Sequence, residues 1–146
     1  MRKGKIREAE KEDLEQLLEL YTQMDGNRMP ETLPEQLWEE MLKDPRHHVV
    51  VAEEDGKIVS TCTVDITMNL THGQQPFATV ENVLTDVEHR GQGYATACLD
   101  YARQIAKAAN CYKITLTTGS KRETTLRLYE RAGYNRLDKK AFVQWL

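Results

Sequence analysis

Hydrophobic positions recur along this chain with two periods, and the switches between them predict its elements. Residues 5–9 suit a short strand. Over 11–24, Leu14, Leu17, Leu18 and Tyr21 fall at i, i+3, i+4 and i+7, the stripe of an amphipathic helix. Gly26, Asn27, Pro30 and Pro34 then turn the chain. Pro34 suits the first turn of a second helix, with Leu37, Trp38, Met41 and Leu42 on its apolar side and Asp44-Pro45 as its end. Residues 48–53 and 58–69 read as two strands joined by a hairpin around Asp55-Gly56. A polar loop, 72–76, leads to a further strand over 77–86, completing an antiparallel meander.

The period changes again at Tyr94. Ala95, Leu99, Ala102 and Ala106 share one stripe, flanked by Cys98, Ile105 and Ala109, so 94–109 is a helix. Residues 112–118 (Y-K-I-T-L-T-T) read as a strand. Strand, crossover helix and strand make a βαβ unit, so 77–86 and 112–118 should run parallel. A short helix follows over 121–132, with Gly133 placed as its C′ residue. Residues 134–137 and 141–146 have strand character. The order β, α, α, β, β, β, α, β, α, β, β predicts an α/β (α+β) mixed sheet with helices on both faces. No repeat or second unit is evident, so 1–146 is expected to form a single domain.

Composition narrows the function. Apolar residues make up 40% and charged residues 29% of the 146, as in soluble globular proteins. A net charge of −3 leaves no basic excess to neutralise a nucleic-acid backbone. The first residues, M-R-K-G-K-I-R-E, lack an apolar leader core, and no run approaches the ~18 apolar residues of a membrane span, so a cytoplasmic location is expected. Cys62, Cys98 and Cys111 are odd in number and lack C-x-x-C spacing, which suits buried hydrophobes rather than disulfides or zinc ligands. The four histidines share no metal-binding spacing, and no metal is expected.

The chemistry concentrates between the meander and the long helix, in V-E-N-V-L-T-D-V-E-H-R-G-Q-G-Y-A-T (80–96). A helix start leaves backbone N–H groups unpaired at the positive end of its dipole. Glycines beside it let an anion approach closely. Gly93 is followed by Tyr94-Ala95 and not by Lys-Ser/Thr, which excludes a Walker A loop. Thr96 stands where a dinucleotide fingerprint needs its third glycine, and 109–113 supplies no ribose-binding acid. What remains is R-x-x-G-x-A, Arg90 to Ala95, or an ordinary strand–helix turn.

The segment Arg90–Ala95 resembles the pyrophosphate loop R/Q-x-x-G-x-G/A of the GNAT N-acetyltransferase superfamily. Two further pieces carry the resemblance: the E-N-V-L-T-D strand before it, and L-R-L-Y-E-R-A-G-Y (126–134), similar to the family's F/L-Y-E-x-x-G-F/Y segment. C-Y-K-I-T-L (111–116) resembles the branch containing glucosamine-6-phosphate N-acetyltransferases. The likeness spans most of the chain and implies a GNAT fold with acetyl-CoA as donor and no metal.

On that resemblance, the amides of Arg90, Gly91, Gln92, Gly93, Tyr94, Ala95 and Thr96 would hold the pyrophosphate. The backbone of Val83, Leu84 and Thr85 would pair with the pantetheine like an added strand, where a bulge in the family's strand opens a gap to its parallel neighbour. The amide near Leu84 would polarise the thioester carbonyl. Tyr129 matches the family's general acid, although helical periodicity alone reads it as a core aromatic. Glu81 aligns with a glutamate of the glucosamine-phosphate branch and is the candidate base, or else an outward polar residue of an alternating strand. Asp86 and Glu88 read as surface.

Arg122 stands where many members carry Asn, and either pairs with a CoA phosphate or is solvated. The stretch T-T-G-S-K-R-E-T-T is longer and less acidic than in the glucosamine-phosphate enzymes. Arg28, Met29 and Trp38, with the 72–77 region, would shape the acceptor pocket. The expected reaction is direct transfer of an acetyl group to a primary amine of a small molecule. A protein N-terminus or lysine as acceptor, and a non-catalytic CoA-binding module, are the alternatives. Family members are often dimers through C-terminal strands, and the tail A-F-V-Q-W-L suits either a homodimer or the core.

Overall fold

In the computed structural model, residues 4–146 are described. Its centre is the V-V-V-A run of one strand, β2 (His47–Glu54), buried on both faces. A strand points successive side chains to opposite sides. Val50 and Ala52 therefore enter one core, with Cys62, Val64, Ala78 and Val80, while Val49 and Val51 enter a second.

The sheet runs β1 (Lys5–Glu8), β2, β3 (Lys57–Thr67), β4 (Phe77–Thr85), β5 (Ile114–Leu116) in that spatial order. The first four strands are antiparallel and β4–β5 is parallel. Helices cover both faces, as expected. Helix α3 (Tyr94–Ala108) buries Tyr94, Cys98, Leu99, Ala102 and Ala106 on the first core, and α4 (Glu123–Arg131) adds Tyr129 to its margin. Helices α1 (Leu14–Tyr21) and α2 (Glu35–Lys43) close the second core with Leu14, Leu17, Leu20 and Trp38. The Trp38 indole Nε1 donates to the Lys11 carbonyl at 3.1 Å, which satisfies its one polar atom.

The predicted helix over 11–24 begins instead with a 3-10 turn, Lys11–Asp13. Asp13 is held there: its carboxylate accepts the Glu10 N–H at 2.6 Å and both guanidinium nitrogens of Arg7 at 2.6 and 3.0 Å. This bidentate pair ties β1 to the start of α1. Two predicted strands are absent: 134–137 and 141–146 form neither strand nor helix. A strand needs an edge to pair with, and β5 offers only three residues. Leu137, Phe142 and Trp145 stand 88%, 95% and 92% exposed, so the tail is not core.

The feature that shapes the molecule lies in β4. Thr63 faces Glu81 and Thr61 faces Leu84, so β4 carries one residue more than β3 across this stretch, a β-bulge. Asn82 takes up the surplus with φ +53°, a conformation Asn tolerates better than most residues. Ladder pairing between β4 and β5 is confined to Ala78–Val80 opposite Ile114–Leu116. Past the bulge, β4 has no strand on that side among the described residues, which is why β5 is shorter than predicted. Replacing Asn82 by Val should cost about 1–2 kcal/mol, since a β-branched residue is penalised at positive φ, while Asn82→Gly should hold. Urea unfolding of both variants tests this; equal midpoints would count against the bulge as drawn.

Candidate active site

The turn before α3 exposes main chain. Gly93 is its N-cap, left-handed at φ +89°, and carries no side chain to cap the helix. Gly91 has φ +73°, and a Cβ there would meet open space. Within the helix the Ala97 N–H bonds the Gly93 carbonyl at 3.0 Å. The amides of Tyr94, Ala95 and Thr96 precede that first bond and lack a carbonyl one turn back, leaving the positive end of the helix dipole open.

These groups face a cleft of about 560 Å³ between the end of β4 and α4. It is lined by Val83 and Thr85 of β4, by Arg90, Gly91, Gly93, Tyr94 and Ala95 of the loop and helix start, and by Arg122 and Tyr129. Nine residues singled out in the sequence thus meet in one place. Its charged side chains are Arg90 and Arg122, with His89 beside them and no carboxylate in the lining. The cleft is built for an anion.

Sequence reasoning missed His89, Thr124, Thr125 and Leu128 as lining residues. Thr125 and Leu128 lie four and one residues before Tyr129, on or beside its helical face, so the signal was present. Glu81, Leu84, Gln92 and Thr96 are not in the lining. Glu81 follows Val80 and so points to the opposite face of the sheet; it is exposed, with no side-chain partner among the described residues. The Leu84 side chain packs into the core beneath α1.

Backbone direction along β4 can be traced from its hydrogen bonds. The Asp86 N–H donates to Val59 of β3, and the Leu84 carbonyl accepts from Ser60 Oγ of the same strand. The Thr85 carbonyl instead accepts from Arg90 Nε at 3.3 Å, on the cleft side. Alternation therefore turns the main chain of Leu84 toward β3 and that of Val83 and Thr85 toward the gap.

Tyr129 is half-buried against the first core, and burial pushes its phenol pKa up, keeping the proton on the oxygen. Cys62 and Cys98 are fully buried outside the cleft, and burial raises both thiols, Cys98 to about 11. Neither is a nucleophile at neutral pH. Among the described residues no cluster of metal ligands occurs.

Residues 11–134 match the Acetyltransferase (GNAT) family. The chain belongs to that family. A putative acetyltransferase from Agrobacterium tumefaciens superposes with TM-score 0.89 and 34% identity, over 97% of this chain and 99% of that one. A Bacillus halodurans protein described as a transcriptional regulator gives TM-score 0.86 and 30% identity over 97% and 99%. A glucosamine 6-phosphate N-acetyltransferase of Trypanosoma brucei brucei is 29% identical over 79 residues, 54% of this chain and 52% of that protein. The chain thus aligns with about half the length of this curated relative.

Within the GNAT frame, the loop is braced by Asp86, which is 5% exposed. Hydrogen bonds from Gln23 and then His89 hold its carboxyl below the ordinary carboxylate pKa. A carboxyl depressed on folding contributes stability above its unfolded pKa of about 3.9 and loses it as pH falls through the folded value. Asp86→Asn should therefore lower stability at neutral pH and flatten its decline below about pH 4. Unfolding free energies measured from pH 7 to 2.5 check this; an unchanged acid slope would refute the role of Asp86.

Proposed function

We propose that the protein transfers an acetyl group from acetyl-CoA to a primary amine of a small molecule, directly and within a ternary complex. The observation that carries this is the carboxylate-free cleft joining the open helix start, two arginines, the unpaired edge of β4 and Tyr129. The amides of 90–96 with Arg90 and Arg122 would hold the phosphates. The backbone of Val83 and Thr85, turned to the gap, would pair with the pantetheine as an added strand would. The amide expected to polarise the thioester carbonyl passes from Leu84 to a neighbour on the gap side, with Val83 nearest the bulge.

In the transfer, the neutral amine nitrogen attacks the thioester carbonyl carbon, the C–S bond breaks, and the thiolate leaves. Glu81 would take the amine's proton, directly or through water; it is exposed, with no side-chain partner among the described residues. Tyr129 would return a proton to the thiolate, and its raised pKa suits a donor that stays loaded. The inert buried cysteines support direct transfer over an acyl-enzyme.

Calorimetry with CoA and with pantetheine tests the donor site, and thiol release from acetyl-CoA over a library of small amines and N-terminal peptides tests the reaction. CoA should bind far better than pantetheine. Tyr129→Phe should lose about 100-fold in kcat, the low end for a general acid, with CoA affinity unchanged. A Phe variant as fast as the parent would remove Tyr129 from the mechanism, and peptides outrunning all small amines would favour a protein acceptor.

The exposed apolar tail supports a homodimer in which a second copy covers Phe142, Val143 and Trp145. Sedimentation should show a dimer for the full chain and a monomer for a chain ended after Lys140; a monomeric full chain would rule the dimer out.

A further inference from the structure

Two hydrogen bonds cross from the end of α1 to the turn that carries the donor loop. The Gln23 carboxamide donates from Nε2 to Asp86 Oδ1 at 2.6 Å, and its Oε1 accepts the Val87 N–H at 2.9 Å. Gln23 is exposed, yet both ends of its amide are engaged. The second Asp86 oxygen, Oδ2, accepts from His89 Nδ1 at 2.5 Å, and the Asp86 carbonyl accepts the His89 N–H at 2.8 Å. The His89 ring sits edge-on to Tyr94, 6.2 Å between centroids, with Nε2 3.4 Å from Glu54 Oε2. His89 and Tyr94 both line the cleft. A continuous path thus runs from the cleft wall through His89 and Asp86 to Gln23.

On its other side, Gln23 begins the connection to α2. The Gln23 and Met24 amides bond back to Leu20 and Tyr21 at 3.0 Å each, and Asn27 bonds back to Met24 at 3.2 Å. Beyond that, residues 28–32 make no backbone hydrogen bond of this kind among the described residues. The segment is therefore anchored at the Gln23 end, and Gln23 anchors it to the donor loop. A carboxamide suits the place because it donates and accepts at once. Glutamate could accept from Val87 but would face the Asp86 carboxylate with no hydrogen to give.

We propose that Gln23 is a positioning residue that couples the donor loop to the segment between α1 and α2, so that filling the cleft orders residues 24–34. The coupling rests on the donor-site reading above. Phosphate bound at 90–96 restricts the turn at 86–89, and the two Gln23 bonds pass that restriction to the start of 24–34. Arg28 and Met29 lie in this segment, so the wall they are expected to lend to the amine site forms with the donor in place, beside Trp38, which is already fixed in the second core. The link is reciprocal: anything that orders 24–34 tightens donor binding by the same factor.

Amide hydrogen exchange of the full chain with and without CoA tests this, using the parent, Gln23→Ala and Gln23→Glu. In the parent, CoA should slow exchange at 24–34 as well as at 86–96. In both variants CoA should still slow 86–96, with affinity weaker by about fivefold for each hydrogen bond lost, two in Gln23→Ala and one in Gln23→Glu, while the slowing at 24–34 disappears. Both variants lose the Gln23 bond that helps hold Asp86, so both should melt somewhat below the parent; a merely structural role would lower the melt and leave the CoA-induced slowing at 24–34 intact. Slowing at 24–34 that persists in the variants overturns the coupling. So does a parent that binds CoA without any change at 24–34, and there the donor site itself stands. Failure of the parent to bind CoA overturns both.

Discussion

Everything in this molecule is arranged around one unmet pairing. A sheet strand carries hydrogen-bonding groups on both edges, and buried ones must find partners. The extra residue at Asn82 turns β4 away from β5 after Val80. The main chain of Val83 and Thr85 is thereby left facing a gap. One of its groups is met by Arg90 Nε, and ladder pairing with β5 ends at Val80. The helix start of α3 lies at one end of that gap and α4 flanks it, so a local irregularity in one strand determines where a ligand can lie.

The two periods of hydrophobicity made most of this legible. The α3 stripe was readable because each of its buried positions has a sheet beneath it, and the alternating strands because each has two cores to separate. The loop was legible because glycine is the residue that φ +73° and +89° demand. The bulge was not, because Asn82 is an ordinary residue in a strand of ordinary pattern and its conformation comes from pairing with β3. The tail misled for a related reason: A-F-V-Q-W-L has the composition of a strand, but composition does not supply an edge. His89 escaped notice because a lone histidine beside a loop has no spacing to mark it; its role comes from Asp86 and Glu54, one 3 residues and one 35 residues away in the chain.

The two faces of the sheet divide the chemistry. The side under α3 and α4 presents fixed positive charge and main-chain donors, with acids held back from the lining. The other side presents Glu81, exposed and without a side-chain partner among the described residues, one residue before the bulge. On the proposed reading, a reaction joining an anionic donor to a basic amine would need these opposite preferences kept apart. Gln23 crosses between the second-core helices and the donor loop.

The Val83–Thr85 edge and the amide cradle at α3 have a historical consequence. On the proposed reading, the donor is gripped mainly by peptide groups, and every amino acid but proline supplies the same peptide group. Lineages could then exchange most side chains along β4 and the first turn of α3 without giving up the nucleotide. Selection would bear on glycine and on backbone shape, and little on the identity of the rest. Side chains facing the amine carry no such protection and are free to be rewritten for a new acceptor. A scaffold of this kind should diversify in what it modifies long before it changes what it modifies with.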